Sequence, residues 1–241
     1  MTPLKLVVVG AGGFGREVLD LVHDINGDNG RRENPIDVLG VVDDGHPDLT
    51  LLAPYGVAHL GPVSVLDAMP ADVQYVIAIG SPAARKAIAE RLGPRPAATL
   101  VHPTATWGRQ VGIGEGTVVC AHSSVTNHVE FGRHVQVNLG CTIGHDARLA
   151  DFVTLSPGVS VSGGARIGTA SFLGTRTAVN PSVVVGDNVV DGSGAAVIHD
   201  LAPGVTAVGV PARPRNAPRE QDGRLPAETT SWQGAEELSE R

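Results

Sequence analysis

Aromatic residues are nearly missing from this chain: Phe, Trp and Tyr together make up 3% of its 241 residues. Glycine is abundant instead, at 31 residues. Tight corners around a narrow core of small aliphatics account for both. Cysteine is almost absent. Cys120 and Cys141 are too few for a disulfide scaffold or a Cys-rich zinc site, and both read as small buried hydrophobes. Basic residues are outnumbered, 18 Lys and Arg against 25 Asp and Glu, for a formal net charge of -7. That balance argues against nucleic acid as a partner, because phosphate contacts need clustered Lys and Arg. It leaves room for a small anionic ligand, which a few local donors can hold. No run of 18 apolar residues is present, and Met1 to Gly10 lacks a signal-peptide pattern. The expectation is a cytoplasmic protein with no membrane span.

Two patterns of different period divide what is there. Residues 1–98 alternate strand and helix. Leu4 to Val9 is an apolar run ending in Gly10-Ala11-Gly12-Gly13-Phe14-Gly15. Arg16 to Asp24 follows with apolar residues at helical spacing. Asp37 to Val42 reads as a second strand ending at Asp43-Asp44, and Val63 to Met69 as a short helix. Val73 to Ile79 reads as a strand ending at Gly80-Ser81, and Pro82 to Leu92 as a helix. This is a Rossmann-like α/β half-domain with a parallel sheet. Gly27 to Pro35, polar and Gly-rich, reads as a loop.

From Val101 to Val197 every sixth residue is apolar, with Asp191 the exception. The residue four places after each is small or β-branched, and glycine often follows the apolar position, as at Gly114, Gly144 and Gly168. A period of six fits neither a helix nor a plain strand. It fits a triangular solenoid in which each hexad forms one flat face and three hexads one coil, with the larger aliphatic inside and the small residue beside it near the corner. A bulky residue at the second position would overfill the interior. Roughly five coils result, paired through parallel strands about 4.8 Å apart. The expected organisation is an α/β unit over 1–98, a parallel β-helix over 99–214 and a disordered, polar tail over 215–241.

Several residues carry chemistry in this frame. His145 follows Gly144 at an expected corner and precedes a carboxylate, Asp146, which can raise its basicity and fix its tautomer. This makes His145 the best-placed general base. His128 lies 18 residues before Asp146, so it is expected one coil away, within reach of the pair. His122, His128 and His134 are spaced by six, which places them on three different sides and prevents one chain from gathering them around a metal ion. Gly10-x-Gly12-x-x-Gly15, between a strand and a helix, matches a dinucleotide fingerprint. The first acidic residues after the second strand, Asp43-Asp44, come well beyond the usual spacing of about 20. A glycine-rich helix N-terminus equally receives a sugar phosphate or diphosphate, and that ligand is favoured over NAD.

The hexads resemble those of hexapeptide-repeat acyltransferases, whose solenoid is a left-handed β-helix. The Val9-to-Val18 stretch, Val42-Asp43-Asp44, Ala78-Ile79-Gly80, Ile143-Gly144-His145-Asp146, Leu155-Ser156-Pro157-Gly158 and Val208-Gly209-Val210-Pro211-Ala212-Arg213 narrow the resemblance. They look like the sialic-acid O-acetyltransferase and bacillosamine N-acetyltransferase group, over residues 4 to about 214. The resemblance implies an acetyl-CoA-dependent sugar N- or O-acetyltransferase, a homotrimer with the CoA site between neighbouring solenoids. It assigns His145 as general base and Asp146 as its partner. Gly12, Gly13, Phe14, Asp43, Asp44 and Gly80 would line a nucleotide-sugar pocket, and Thr154, Gly163, Thr175 and Ser193 would face acetyl-CoA. Gly163 also offers a backbone donor for the oxyanion. The chain departs from the pattern at Phe14 and at Thr154, where many members have histidine. Those departures leave two alternatives open: a non-catalytic trimeric scaffold, or a transferase with another acyl donor or acceptor.

Overall fold

The structure, a computed structural model, describes residues 3–27 and 35–215. Of the expected tail over 215–241 only Arg215 is described, its N–H donating to the Thr206 carbonyl at 2.7 Å; the rest, and most of the loop after Gly27, lie outside the described residues. Among these, no helix is long and apolar enough to cross a membrane.

The N-terminal unit is a four-stranded parallel sheet in the order β3-β2-β1-β4, with β1 at Leu4–Val9, β2 at Ile36–Val42, β3 at His59–Gly61 and β4 at Gln74–Ile77. β1 is covered on both faces, so its apolar run is continuous. Leu6 and Val8 pack with helix α1 (Gly13–Gly27), while Val7 and Val9 pack with Leu66, Ile77 and Leu92. α1 starts three residues earlier than its apolar spacing suggests, inside the glycine loop, because a helix's first turn has no intrahelical acceptors to lose. The segment Val63–Ala68 is a 3-10 helix, and α2 covers Pro82–Leu92 with Ser81 as its N-cap.

The remainder is the expected three-sided parallel β-helix. Among the described residues, seventeen two-residue strands recur every six residues from Leu100–Val101 to Ala196–Val197. They stack into three parallel sheets. The first face runs through Val118–Val119, Gln136–Val137 and Thr154–Leu155, the second through Ser124–Val125 and Thr142–Ile143, and the third through Glu130–Phe131 and Arg148–Leu149. The second residue of each strand points inward. From Val119 to Val197 every one is at most 6% exposed. In the first coil Trp107 and Ile113 remain 36% and 38% exposed, because no coil precedes them.

The corners obey a rule that the apolar pattern does not reveal. In every hexad from Gln110 to Gly194 the fourth residue, counted from the inward aliphatic, has a positive φ between 53° and 71°. Gln, His, Asp, Phe, Ala, Arg, Ser and Asn all accept this left-handed turn here, because the backbone bonds of adjacent coils fix it. His128 N–H, for example, donates to the Arg109 carbonyl at 3.0 Å. His122, His128 and His134 all occupy this corner position, on three different edges.

The outward row of the first face shows where the N-terminal unit docks. Leu100 and Val118 are fully buried, Gln136 is 3% exposed and Thr154 6%, and the row opens to solvent at Val190. α1 shares one hydrophobic cluster with Leu100, Val118 and Cys120.

Asp191, the exception in the hexad pattern, does point inward. It is 1% exposed, neither carboxylate oxygen has a hydrogen-bond partner among the described residues, and burial pushes its pKa up to about 6. A raised carboxyl pKa means the folded state holds a proton that the unfolded chain releases. Stability therefore falls as pH rises from about 4 through about 6, at a cost of about 2–3 kcal/mol once ionised. Asp191→Val is expected to raise the thermal midpoint, and to raise it more at pH 8 than at pH 4. Calorimetric unfolding at both pH values checks this.

Candidate functional site

His145 sits on the edge between the second and third faces. Ile143 anchors the strand inside the prism, and Gly144 lets the next coil come close. A Cβ on Gly144 would stand 2.5 Å from the Gly163 nitrogen, so no other residue fits without moving backbone. His145 then projects into solvent. Asp146 takes the left-handed corner conformation, φ 60°, which Asp tolerates better than most residues. The turn brings its carboxylate back to the imidazole, with His145 Nδ1 2.7 Å from Asp146 Oδ2. A carboxylate only accepts, so Nδ1 carries the proton of this bond, and in the neutral imidazole the lone pair lies on Nε2.

Gly163 is one coil further along the same edge. The imidazole lies over it: a Cβ there would be 2.6 Å from Nε2 and 2.7 Å from Cε1 of His145. Gly163 N–H has no acceptor among the described residues, while its carbonyl accepts from Ser182 N–H at 2.9 Å. His128 occupies the equivalent corner one coil before Asp146, as expected from the spacing. No hydrogen bond joins its ring to either member of the pair among the described residues.

The other candidate residues fall in two separate places. Thr175 and Ser193 are exposed, one coil apart, on the edge between the first and second faces. Thr154 is on neither edge. It lies under the N-terminal unit, where its hydroxyl donates to the Gly80 carbonyl at 3.0 Å. A residue assigned to the CoA side and one assigned to the sugar pocket thus touch each other.

The N-terminal candidates surround the carboxyl ends of β1 and β4. Strand order reverses here, because β2 lies on one side of β1 and β4 on the other. Gly12 and Gly80 face open space; no atom lies within 4 Å of where a Cβ would be. Gly13 opens α1. Asp43 braces the loop, accepting from Ala11 N–H and Gly45 N–H, both at 2.7 Å. Asp44 accepts from Val63 N–H at 2.8 Å and faces Arg91 at 3.6 Å. Phe14 is half-buried against the α1 core and acts there as an apolar anchor.

Three residues at the junction escape sequence reasoning. Arg85 on α2 is 0% exposed and reaches into the solenoid. Gln136 Nε2 donates to the Ile77 carbonyl at 2.9 Å. His134 stacks between Tyr75 and Phe152, at centroid separations of 6.0 and 5.3 Å, and burial depresses its pKa to about 4. A signal for the junction exists in the outward row Leu100, Val118, Gln136, Thr154, which lacks the charge of the third-face row Glu130, Arg148, Arg166. Nothing in the helix pattern singles out Arg85.

This combination of a parallel-sheet crevice and a hexad solenoid with an edge imidazole defines the class: a β-helix acyltransferase with an attached α/β unit. Residues 5–92 match the family model for the PglD N-terminal domain. The acetyltransferase domain of PglB from Neisseria gonorrhoeae, solved with acetyl coenzyme A, is 31% identical, with 88% of this chain and 100% of that one covered and a TM-score of 0.75. PerB from Caulobacter crescentus, solved with CoA and GDP-perosamine, is 26% identical, with 88% and 97% covered and a TM-score of 0.77. A UDP-N-acetylbacillosamine N-acetyltransferase of Bacillus subtilis is 32% identical over 119 residues, so the match spans about half of that relative, 51%, and 48% of this chain. The chain belongs to the sialic-acid O-acetyltransferase and bacillosamine N-acetyltransferase-like family of sugar acyltransferases.

The two glycines under His145 respond differently to an added methyl group. Gly144→Ala drives a Cβ into backbone and is expected to destabilise the protein by at least about 2 kcal/mol. Gly163→Ala meets only an exposed ring. It is expected to keep the fold and swing the imidazole off Asp146, which a crystal structure and an unfolding curve of the variant will show.

Proposed function

We propose that the protein transfers the acetyl group of acetyl-CoA to an amino group of a nucleotide-linked sugar, with His145 as general base. The observation that carries this reading is the His145–Asp146 pair, which engages Nδ1 and leaves Nε2 accessible on a solenoid edge. The amine attacks the thioester carbonyl carbon, forming the C–N bond as its proton passes to Nε2. The tetrahedral oxyanion takes a backbone donor, for which Gly163 N–H, unpaired beside the ring, is the candidate. The C–S bond then breaks, and the departing thiolate recovers the proton from Nε2. Asp146 holds the tautomer and favours the imidazolium formed in between. The relatives named for N-acetylation and for an amino sugar favour an amine over a hydroxyl acceptor.

The open crevice at Gly12 and Gly80 suits the nucleotide sugar. Exposed backbone amides at a helix N-terminus can meet the diphosphate without a basic cluster. This crevice belongs to a unit docked on the first face, whereas His145 stands on the edge opposite that face. Thr175 and Ser193 occupy yet another edge. One chain therefore holds the parts apart. A homotrimer of parallel prisms, in which the His145 edge of one solenoid meets the Thr175–Ser193 edge of its neighbour, brings the base to the thioester.

Thiol release from acetyl-CoA, followed with a panel of UDP-, GDP- and dTDP-linked amino sugars, tests the reading. His145→Ala is expected to lower kcat by about 10²–10⁴ with unchanged thermal stability, and Asp146→Asn by about tenfold. Full activity in the His145 variant would remove the base. No turnover with any acceptor, together with no CoA binding, would turn the protein into a scaffold.

A further inference from the structure

The largest fully buried side chain among the described residues is an arginine with no acidic partner among them. Arg85 projects from the first turn of α2 into the seam between the two units. Its Nε donates to the His134 carbonyl at 3.2 Å. Nη1 faces the Ile79 carbonyl at 2.9 Å, the Gly80 carbonyl at 3.0 Å and Gln136 Oε1 at 3.1 Å. Nη2 faces the Phe152 carbonyl at 2.7 Å and the Val153 carbonyl at 3.2 Å. All five N–H groups of the guanidinium are thereby used. Every acceptor is neutral, and burial alone lowers the pKa to about 9, so the group stays charged at neutral pH.

The acceptors sort into two sets. Ile79 and Gly80 form the turn after β4 that borders the crevice. His134, Phe152 and Val153 belong to two successive coils, and His134 and Phe152 are left-handed corner residues, at φ 53° and 63°. One planar fork therefore spans the crevice turn and a solenoid edge. Thr154, which also bonds the Gly80 carbonyl, and Gln136, which bonds the Ile77 carbonyl, flank it. Gly80 itself has no side chain with which to hold its place, and its outer side is open.

We infer that Arg85 is a positioning residue for the acceptor. By clamping the Ile79–Gly80 turn to the solenoid corners, it fixes the nucleotide-sugar pocket in one orientation relative to the prism that carries the base. This rests on the reading above that Gly80 borders the acceptor pocket. Arg85 touches neither the thioester edge nor His145, so its loss acts on one substrate only.

The test uses the full-length protein with Arg85→Met, and Gln136→Met as a milder variant should the first not fold. The expected result is a KM for the nucleotide sugar raised by about tenfold or more in Arg85→Met and by about threefold in Gln136→Met, with the acetyl-CoA KM within about twofold of wild type. Equal changes in both KM values, or none, in a folded variant would overturn the inference. Hydrogen exchange reads the clamp without turnover. Amides of residues 79–86 are expected to exchange at least about tenfold faster in Arg85→Met, while 142–149 and 157–167 stay unchanged. Unchanged exchange at 79–86 removes the clamp whatever the kinetics show. Faster exchange in a protein whose wild type turns over no nucleotide sugar supports the clamp and strikes the acceptor assignment instead.

Discussion

The interior of a three-sided prism accepts one larger and one smaller side chain per hexad, and this packing constraint governs the rest of the molecule. It sets the register Val119, Val137, Leu155, Leu173 along one face, and the same spacing along the other two. Register in turn places every residue 18 positions from another directly above or below it. The contact of His145 with Gly163 is a consequence, as is the close approach of Gly144 to Ser162. A sequence slip of one residue would turn the aliphatics outward and scatter the edge. His145 is therefore held by the core, although its own side chain is two-thirds exposed.

The second dependency is the covered face. The third face, left bare, presents the charged row Glu130, Arg148 and Arg166 to water. The first face instead carries Leu100 and Val118, which must be buried. α1 covers them, and it is the same helix whose N-terminus forms the glycine crevice. The docking surface and the glycine crevice are two ends of one element. The polar rungs Gln136 and Thr154 follow where apolar cover gives way to specific hydrogen bonds, and those bonds go to Ile77 and Gly80 at the end of β4. The face thus grades from adhesion to alignment along its length.

Much of this was legible in the residues. The hexad period, the inward aliphatics, β1, β2, α2 and the corner setting of His145 follow from spacing alone, because each depends on a repeat that packing enforces. Handedness and the pairing with acetyl-CoA chemistry came from resemblance. The uncharged row Leu100, Val118, Gln136, Thr154 hints at a seam, but the bonds across it were not legible. Arg85 lies in a helix of weak amphipathicity, and its partners are backbone carbonyls at Ile79, His134 and Phe152, which no side-chain pattern encodes. Thr154 shows a different failure. Its place in a family pattern suggests one neighbour, whereas its hydrogen bond goes to another. Phe14 likewise packs on the core where a polar contact is usual, since a phenyl ring beside α1 gains more from burial than from the crevice.

Two buried charges in one chain show how the fold separates cost from use. Asp191 faces the prism interior with no donor, so its remedy is protonation, and nothing in its surroundings rewards ionisation. Arg85 is buried more completely but meets six oxygen acceptors, each oriented by backbone that is itself fixed by coil register or by β4. A guanidinium cannot shed its charge as readily as a carboxyl gains a proton, so it holds those dipoles together as a set. Removing it would leave carbonyls of two units facing each other without a donor, which is repulsive as well as unsatisfied. The seam therefore has one stable arrangement. The crevice at Gly80, built on that seam, inherits its rigidity from the solenoid rather than from its own glycines.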